Sequence, residues 1–266
     1  MKFTNNLKYI LLPMFIFVIA ACGNGETADE SGGASDDTVK GTITVSAAAS
    51  LVDALEEVSE RFNEEHPGVQ VEFNFGGSGA LMQQILQGAP ADLFFSANES
   101  HFEEVVDEGY IDEGNTVDLL HNEIVLVIPE GSETVTSFDD LKNAESIAVG
   151  NPESVPAGEY SMEAFENMDI MEEIESKFIF ATDVRQVLNY VETENVDAGV
   201  VYHTDALSSE GIEVVDAAPE DSHSPVVYPL GTLNDTDNPE AQRAFYEFVQ
   251  SEEAGEVFNE YGFIIE

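Results

Sequence analysis

The chain has 266 residues, with 8 Lys and Arg against 54 Asp and Glu, one Cys and no Trp. Its 43% hydrophobic share can fill real cores, and its length suits one large domain or two smaller ones. The formal charge of −46 excludes nucleic acid or an anionic lipid surface as partner, since both need a basic patch to displace counterions, and a lone Cys excludes a disulfide framework or a thiolate-based zinc site. So acidic a surface suits high salt, where self-repulsion is screened.

Lys2 and Lys8 give the N-terminus a positive start, and an apolar run from Ile10 to Ala21, broken at Pro13, follows. The run is short for a membrane span and reads as a signal peptide over 1–21. Its end, Ile19-Ala20-Ala21-Cys22, resembles the lipobox of bacterial lipoproteins, which implies cleavage before Cys22 and lipidation of that residue. The alternative is an ordinary signal peptide that happens to carry a Cys. Cleavage removes Lys2 and Lys8 and no acid, taking the formal charge from −46 to −48. Residues 22–40 then read as the lipid-bearing Cys and a tether rich in Gly, Ser, Ala and acid, with no apolar periodicity.

From Gly41 the pattern alternates. Gly41–Val45 and Val69–Phe75 read as strands, with helical spacing between them at Leu51, Val52, Leu55, Val58 and Phe62. Leu81, Met82, Ile85 and Leu86 mark a second helix, Asp92–Ser96 a third strand and His101–Glu108 a third helix. Strands are predicted again at Ile124–Ile128, Ile147–Val149, Phe178–Phe180 and Ala198–Tyr202. Helices fall around Ala164, around Val187 and Val191, and from Glu240 to Asn259. Such alternation predicts an α/β protein with mostly parallel sheets.

Parallel α/β sheets bind ligands where strands end and helices begin. Several junctions here share one chemistry. Ala47-Ala48-Ala49-Ser50 and Gly76-Gly77-Ser78-Gly79 each place a Ser where a helix N-cap belongs. Val155-Pro156-Ala157-Gly158 and Thr182-Asp183-Val184 lead into later helices. Small residues let main-chain N–H groups approach a ligand, and each helix start carries roughly half a positive charge. Taken singly, a Ser at such a place is a cap and a Gly run is a turn. If the junctions converge, they form an anion site built from neutral donors.

Ala47–Leu51, Gly88–Phe94, Ala148–Gly158, Asp183-Val184-Arg185, Gly199–Tyr202 and Tyr261-Gly262-Phe263, in that order, resemble the molybdate-binding proteins of bacterial ABC transporters. The resemblance covers nearly everything from Gly41 onward. It implies a type II periplasmic-binding-protein fold, two α/β lobes with a hinge and a ligand cleft between them. The first lobe would hold 41–121 plus 226–266, and the second 122–225. It further implies that Ser50 and Ser78 hold the oxyanion from one lobe. The main-chain N–H groups of Ala157 and Val184 and the hydroxyl of Tyr202 would hold it from the other. The second serine's surroundings, Gly76-Gly77-Ser78-Gly79, depart from many relatives, which carry more hydroxyl residues there.

The implied function is extracytoplasmic capture of molybdate, and of tungstate with it, for delivery to an ABC permease, on a membrane anchor at Cys22. A binding protein for another oxyanion, such as sulfate, is the alternative. Molybdate and tungstate are unprotonated tetrahedral dianions and need donors only. Monohydrogen phosphate needs an acceptor, and the nearby Asp183 reads as an N-cap. Arg185 reads as a structural ion-pair partner. No cofactor, no metal cation and no nucleic acid is expected, and a monomer suffices. An enzyme is the rival class. Gly76–Ala80 only approximates a nucleophile elbow, and His66, His101, His121, His203 and His223 are scattered along the chain. For a metal site no His pair has helical spacing, and Asp235–Asn238 lacks the Gly and Glu of a calcium loop.

Overall fold

A computed structural model describes residues 39–265. The predicted signal peptide, Cys22 and all but the end of the tether lie outside the described residues. The chain opens with β1 (Gly41–Ala48), α1 (Val52–Glu65), β2 (Val69–Gly76), α2 (Ser78–Leu86), β3 (Leu93–Phe95), α3 (Glu99–Asp107) and β4 (Ile111–Asn122). It continues through β5 (Ile124–Pro129), β6 (Ile147–Gly150), α4 (Pro156–Asn167), α5 (Met171–Ile174), β7 (Phe178–Ala181), α6 (Val184–Glu192), β8 (Ala198–Tyr202), α7 (His203–Leu207) and β9 (Ile212–Ala217). It closes with β10 (Val226–Leu233), α8 (Pro239–Val249), α9 (Glu252–Glu260) and β11 (Ile264–Ile265).

Two sheets result. One has six strands in the order β11-β4-β10-β3-β1-β2, the other five in the order β7-β6-β8-β5-β9. The chain therefore leaves the first sheet after β4 and returns to it with β10. The helices bury the stripes that the sequence marks. Leu55, Val58 and Phe62 of α1 and Val187, Leu188 and Val191 of α6 are all buried in one continuous core. A smaller cluster packs Leu81, Met82 and Ile85 of α2 against Phe102 and Val105 of α3 and Phe94 of β3.

Two expectations are corrected. The sheets are not mostly parallel: β1 pairs in parallel with β2 and β3, and β6 with β7 and β8, but β10 runs antiparallel to β3 and β4, β11 to β4, and β5 to β8 and β9. The antiparallel partners β4, β9, β10 and β11 carry weak strand signals. β4 is largely exposed and includes Asp112, Glu113, Gly114 and Asn115. β10 contains Pro229 and Gly231, which read as breakers, and its pairing with β4 is irregular beside both. The helical pattern from Glu240 to Asn259 is two helices, interrupted at Gln250-Ser251, where the Ser251 side chain accepts the Ala254 N–H and caps α9.

The start of α4 sits directly on the end of β6. A Cβ on Gly158 would collide with the Gly150 carbonyl, and a rigid main-chain neighbour cannot yield. Gly158→Ala is expected to lower unfolding free energy by about 3 kcal/mol, the upper range for overpacking, in a urea titration of the two proteins.

Candidate functional site

Strand register assembles the site. β1 and β2 stay in step from Gly41–Val69 to Ala48–Gly76, so the turns after them leave one sheet edge side by side. A 3-10 turn, Ala49–Leu51, follows β1, and Gly77 leads from β2 into α2. In the second sheet β6 pairs in parallel with both β7 and β8. Tyr202 ends β8, and the segments that follow β6 and β7 lead into the helix starts that hold Ala157 and Val184.

The two edges face one another across a narrow cleft lined by Ser50, Ser78, Ala157, Val184 and Tyr202 together with Ala48, Ala49, Gly76, Gly77, Ala97, Val155 and Pro156. All five residues singled out from the sequence are thus brought together. None of the lining residues carries a charge.

Their local roles differ in part from expectation. Neither serine is a cap. Ser50 lies inside the 3-10 turn ahead of α1, whose first turn has no side-chain cap, and its Oγ is 2.9 Å from the Tyr228 hydroxyl. Ser78 is the first residue of α2, the N-cap is Gly77, and the Ser78 Oγ accepts the Ala97 N–H at 2.9 Å. Both hydroxyls are engaged by the fold rather than by their own helices, which is why local sequence could not reveal it.

The other lobe supplies helix starts. Ala157 is the second residue of α4, behind Pro156, and Val184 is the first of α6. N–H groups in a first turn have no intrahelical acceptor and are free to meet a ligand. Asp183 is the N-cap of α6, as expected, and accepts the Gln186 N–H at 2.8 Å. The Tyr202 hydroxyl is buried without a hydrogen-bond partner, and burial holds its pKa well above 10, so it is a neutral donor.

The lobes also touch beyond the cavity. The Gly79 N–H donates to the Ser154 carbonyl at 3.1 Å. Asn98 Nδ2 donates to Glu159 at 3.2 Å, and burial raises that carboxyl's pKa. Arg185 of α6 reaches Asp53 of α1 at 2.6 Å and, with its Nε, lies 2.8 Å from the carboxylate of Asp205. Arg185 is therefore an ion-pair partner, as the sequence suggested, and it joins the lobes. Asp205 is fully buried; burial pushes its pKa up to about 7 while the guanidinium opposes the shift. The second contact is an ion pair without hydrogen-bond alignment, because Arg185 Nε and both Asp205 oxygens lack a geometrically sound hydrogen bond.

Sequence reasoning missed Asn122, Thr204, Asp205 and Tyr228. Each acts through a distant partner, and nothing in the neighbouring residues of the chain sets any of them apart.

An architecture of two α/β lobes closing on a cavity of neutral donors defines a solute-binding protein. The family described as bacterial extracellular solute-binding protein matches residues 43–264, and this chain belongs to it. YvgL of Bacillus subtilis (strain 168), named as a putative ABC transporter substrate-binding lipoprotein, is 48% identical over 94% of this chain and 94% of its own length. The molybdate-binding protein ModA of Escherichia coli (strain K12) is 39% identical, covering 85% of this chain and 90% of its own. Among solved structures, a Clostridium difficile substrate-binding domain assigned to a molybdenum ABC transporter is 37% identical at a TM-score of 0.65, over 84% of this chain and 97% of its own. The protein is an extracytoplasmic solute-binding protein with the periplasmic-binding fold. Among the described residues no helix is long and apolar enough to cross a membrane.

Two substitutions separate the parts of the Arg185 contact. Arg185→Leu strands Asp205 as an unpaired buried acid and should lower stability by about 3 kcal/mol in denaturant unfolding. Asp53→Asn removes only the half-exposed contact between lobes. It should leave stability within about 0.5 kcal/mol, the usual range for a surface change, while weakening ligand binding a few-fold.

Proposed function

We propose that this protein captures molybdate, and tungstate with it, outside the cytoplasm and hands the oxyanion to an ABC permease. The observation that carries this reading is a cleft lined by donors and by no charged group. An unprotonated dianion asks only for donors, and oriented N–H groups at helix starts supply them without a cation. Ser50 and Ser78 would hold the anion from the first lobe. The Ala157 and Val184 N–H groups and the Tyr202 hydroxyl would hold it from the second. The lobes would divide as 41–121 plus 226–266 and 122–225, with the hinge in the two crossings between sheets. The relatives support the ligand, since two of those above are named for molybdate or molybdenum transport.

The same reading includes a lipid on Cys22 as the membrane anchor, in keeping with the relative named a lipoprotein. It makes the protein a monomeric receptor and not an enzyme. Closure of the lobes over the ligand replaces its hydration shell with fixed dipoles.

Isothermal titration with molybdate, tungstate, sulfate and phosphate tests the assignment. Tight 1:1 binding of the first two and none of the last two is the expected outcome. Preference for sulfate would move the protein to another oxyanion, and silence with all four would overturn the reading. Ser50→Ala should weaken molybdate binding by about 1.5–3 kcal/mol, the scale of a hydrogen bond to a charged group. Because the formal charge, −46 for the full chain and −48 after cleavage before Cys22, opposes an approaching dianion, stopped-flow association should quicken with added salt; a rate that falls would contradict this.

A further inference from the structure

Behind Ser50 runs a chain of hydrogen bonds whose direction is fixed at one end. The Asn122 Oδ1 accepts the main-chain N–H of Glu123 at 2.9 Å. A main-chain N–H can only donate, so this contact identifies the carbonyl end of the amide and leaves Nδ2 as the donor end. Asn122 Nδ2 lies 2.8 Å from Thr204 Oγ1 and 3.2 Å from the Tyr228 hydroxyl. An amide NH2 offers no lone pair. The Tyr228 hydrogen therefore cannot point back to Asn122, and it goes to Ser50 Oγ, 2.9 Å away. With its oxygen already receiving a hydrogen, Ser50 has its own hydrogen left for the cavity that it lines.

Two further groups on the cavity have the same polarity. The Ala97 N–H donates to Ser78 Oγ at 2.9 Å and leaves the Ser78 hydrogen free. The Tyr202 hydroxyl is fully buried and has no partner in the fold. Tyr228 is itself fully buried among Phe95, Tyr202 and Phe263, which keeps its ring in place and its phenol protonated.

We infer that Asn122 and Tyr228 are positioning residues that lock Ser50 as a hydrogen donor and so make the site select tetrahedral dianions bearing no proton over those that carry one. The inference rests on the oxyanion reading above and deepens it. A ligand hydroxyl needs an acceptor in the site. Ser50 could serve only by turning its hydrogen away from the ligand, and the polarity imposed from Asn122 removes Tyr228 as the acceptor for that hydrogen. Rejection of protonated oxyanions is then set in part by an amide that lies two hydrogen bonds behind the serine that meets the ligand.

The test compares molybdate with hydrogen arsenate at a pH where arsenate carries one proton. Both are tetrahedral dianions, so a change in site charge affects both alike and cancels in the ratio of their affinities. Affinities are measured by calorimetry, with hydrogen arsenate competed against molybdate. Asn122→Asp replaces the donor end with an acceptor. Tyr228 then donates to the carboxylate, Ser50 donates to Tyr228, and lone pairs of Ser50 face the cavity. The expected result is a molybdate-to-arsenate affinity ratio at least about tenfold lower than in the unaltered protein, the effect of one hydrogen bond.

Tyr228→Phe cuts the chain with almost no change of shape. It should lower the same ratio by weakening molybdate more than arsenate, and adding Asn122→Asp to it should change the ratio no further. A ratio that stays the same in both single variants, or an Asn122→Asp effect equally large with and without the Tyr228 hydroxyl, would overturn the inference. Loss of both affinities in equal proportion would also overturn it, because that marks a merely structural role. If the unaltered protein binds no molybdate, the oxyanion reading itself fails, and the two failures are thereby told apart.

Discussion

A dianion can be held in a low-dielectric cavity only if its lost hydration is replaced, and cations are the usual replacement. This cavity has no charged lining residue and sits in a chain with 8 basic residues against 54 acids. Everything proposed for its ligand therefore depends on oriented neutral donors. Main-chain N–H groups at helix starts are the strongest such donors a fold can aim, because they are rigid and have no competing acceptor within their own helix. Hydroxyls complete the set, but a hydroxyl can also accept. The fold has to settle which it does.

That requirement accounts for the arrangement around the site. In-step pairing of β1 with β2 places Ser50 beside Ser78. Parallel pairing of β6 with β7 and β8 places Ala157, Val184 and Tyr202 on the facing edge. Main-chain approach between the lobes is close: a Cβ on Gly77 would come within 2.6 Å of the Ser154 carbonyl oxygen. Glycine there is a condition of closure rather than of turn geometry. Arg185 adds a contact between the lobes while its other side compensates the buried Asp205. Arg185 is thus used in the framework, away from the lining of the cleft.

Much of this was legible in the sequence. The parallel strands β1, β2, β3, β6 and β7 and the long helices showed because apolar residues recur there with a clear period. The missing strands were hidden for a physical reason. β4 and β9 expose much of their surface, so they need no apolar alternation, and β10 is wholly buried yet contains Pro229 and Gly231. Antiparallel partners of this kind are stabilised by pairing with a strand far away in the chain, and propensity carries little of that information. The ordered junction motifs did single out residues that share one cavity. Their serines were read as caps because a cap is the local use of a Ser at a helix start, whereas both hydroxyls meet partners from other elements.

By itself, then, the sequence determined the α/β alternation, the junctions that lead into α4 and α6 and the Asp183 cap, because each follows from local periodicity or capping chemistry. Only the tertiary structure decided how the sheets are ordered, which lobe contacts close the cavity and which way the hydroxyls point. Ser50 and Tyr228 are separated by 178 positions, and Asn122 and Tyr228 by 106. The hydrogen bonds between them exist only once β4 and β10 lie side by side. A serine's residue type fixes that it can donate or accept. The neighbour that makes the choice is supplied by the fold.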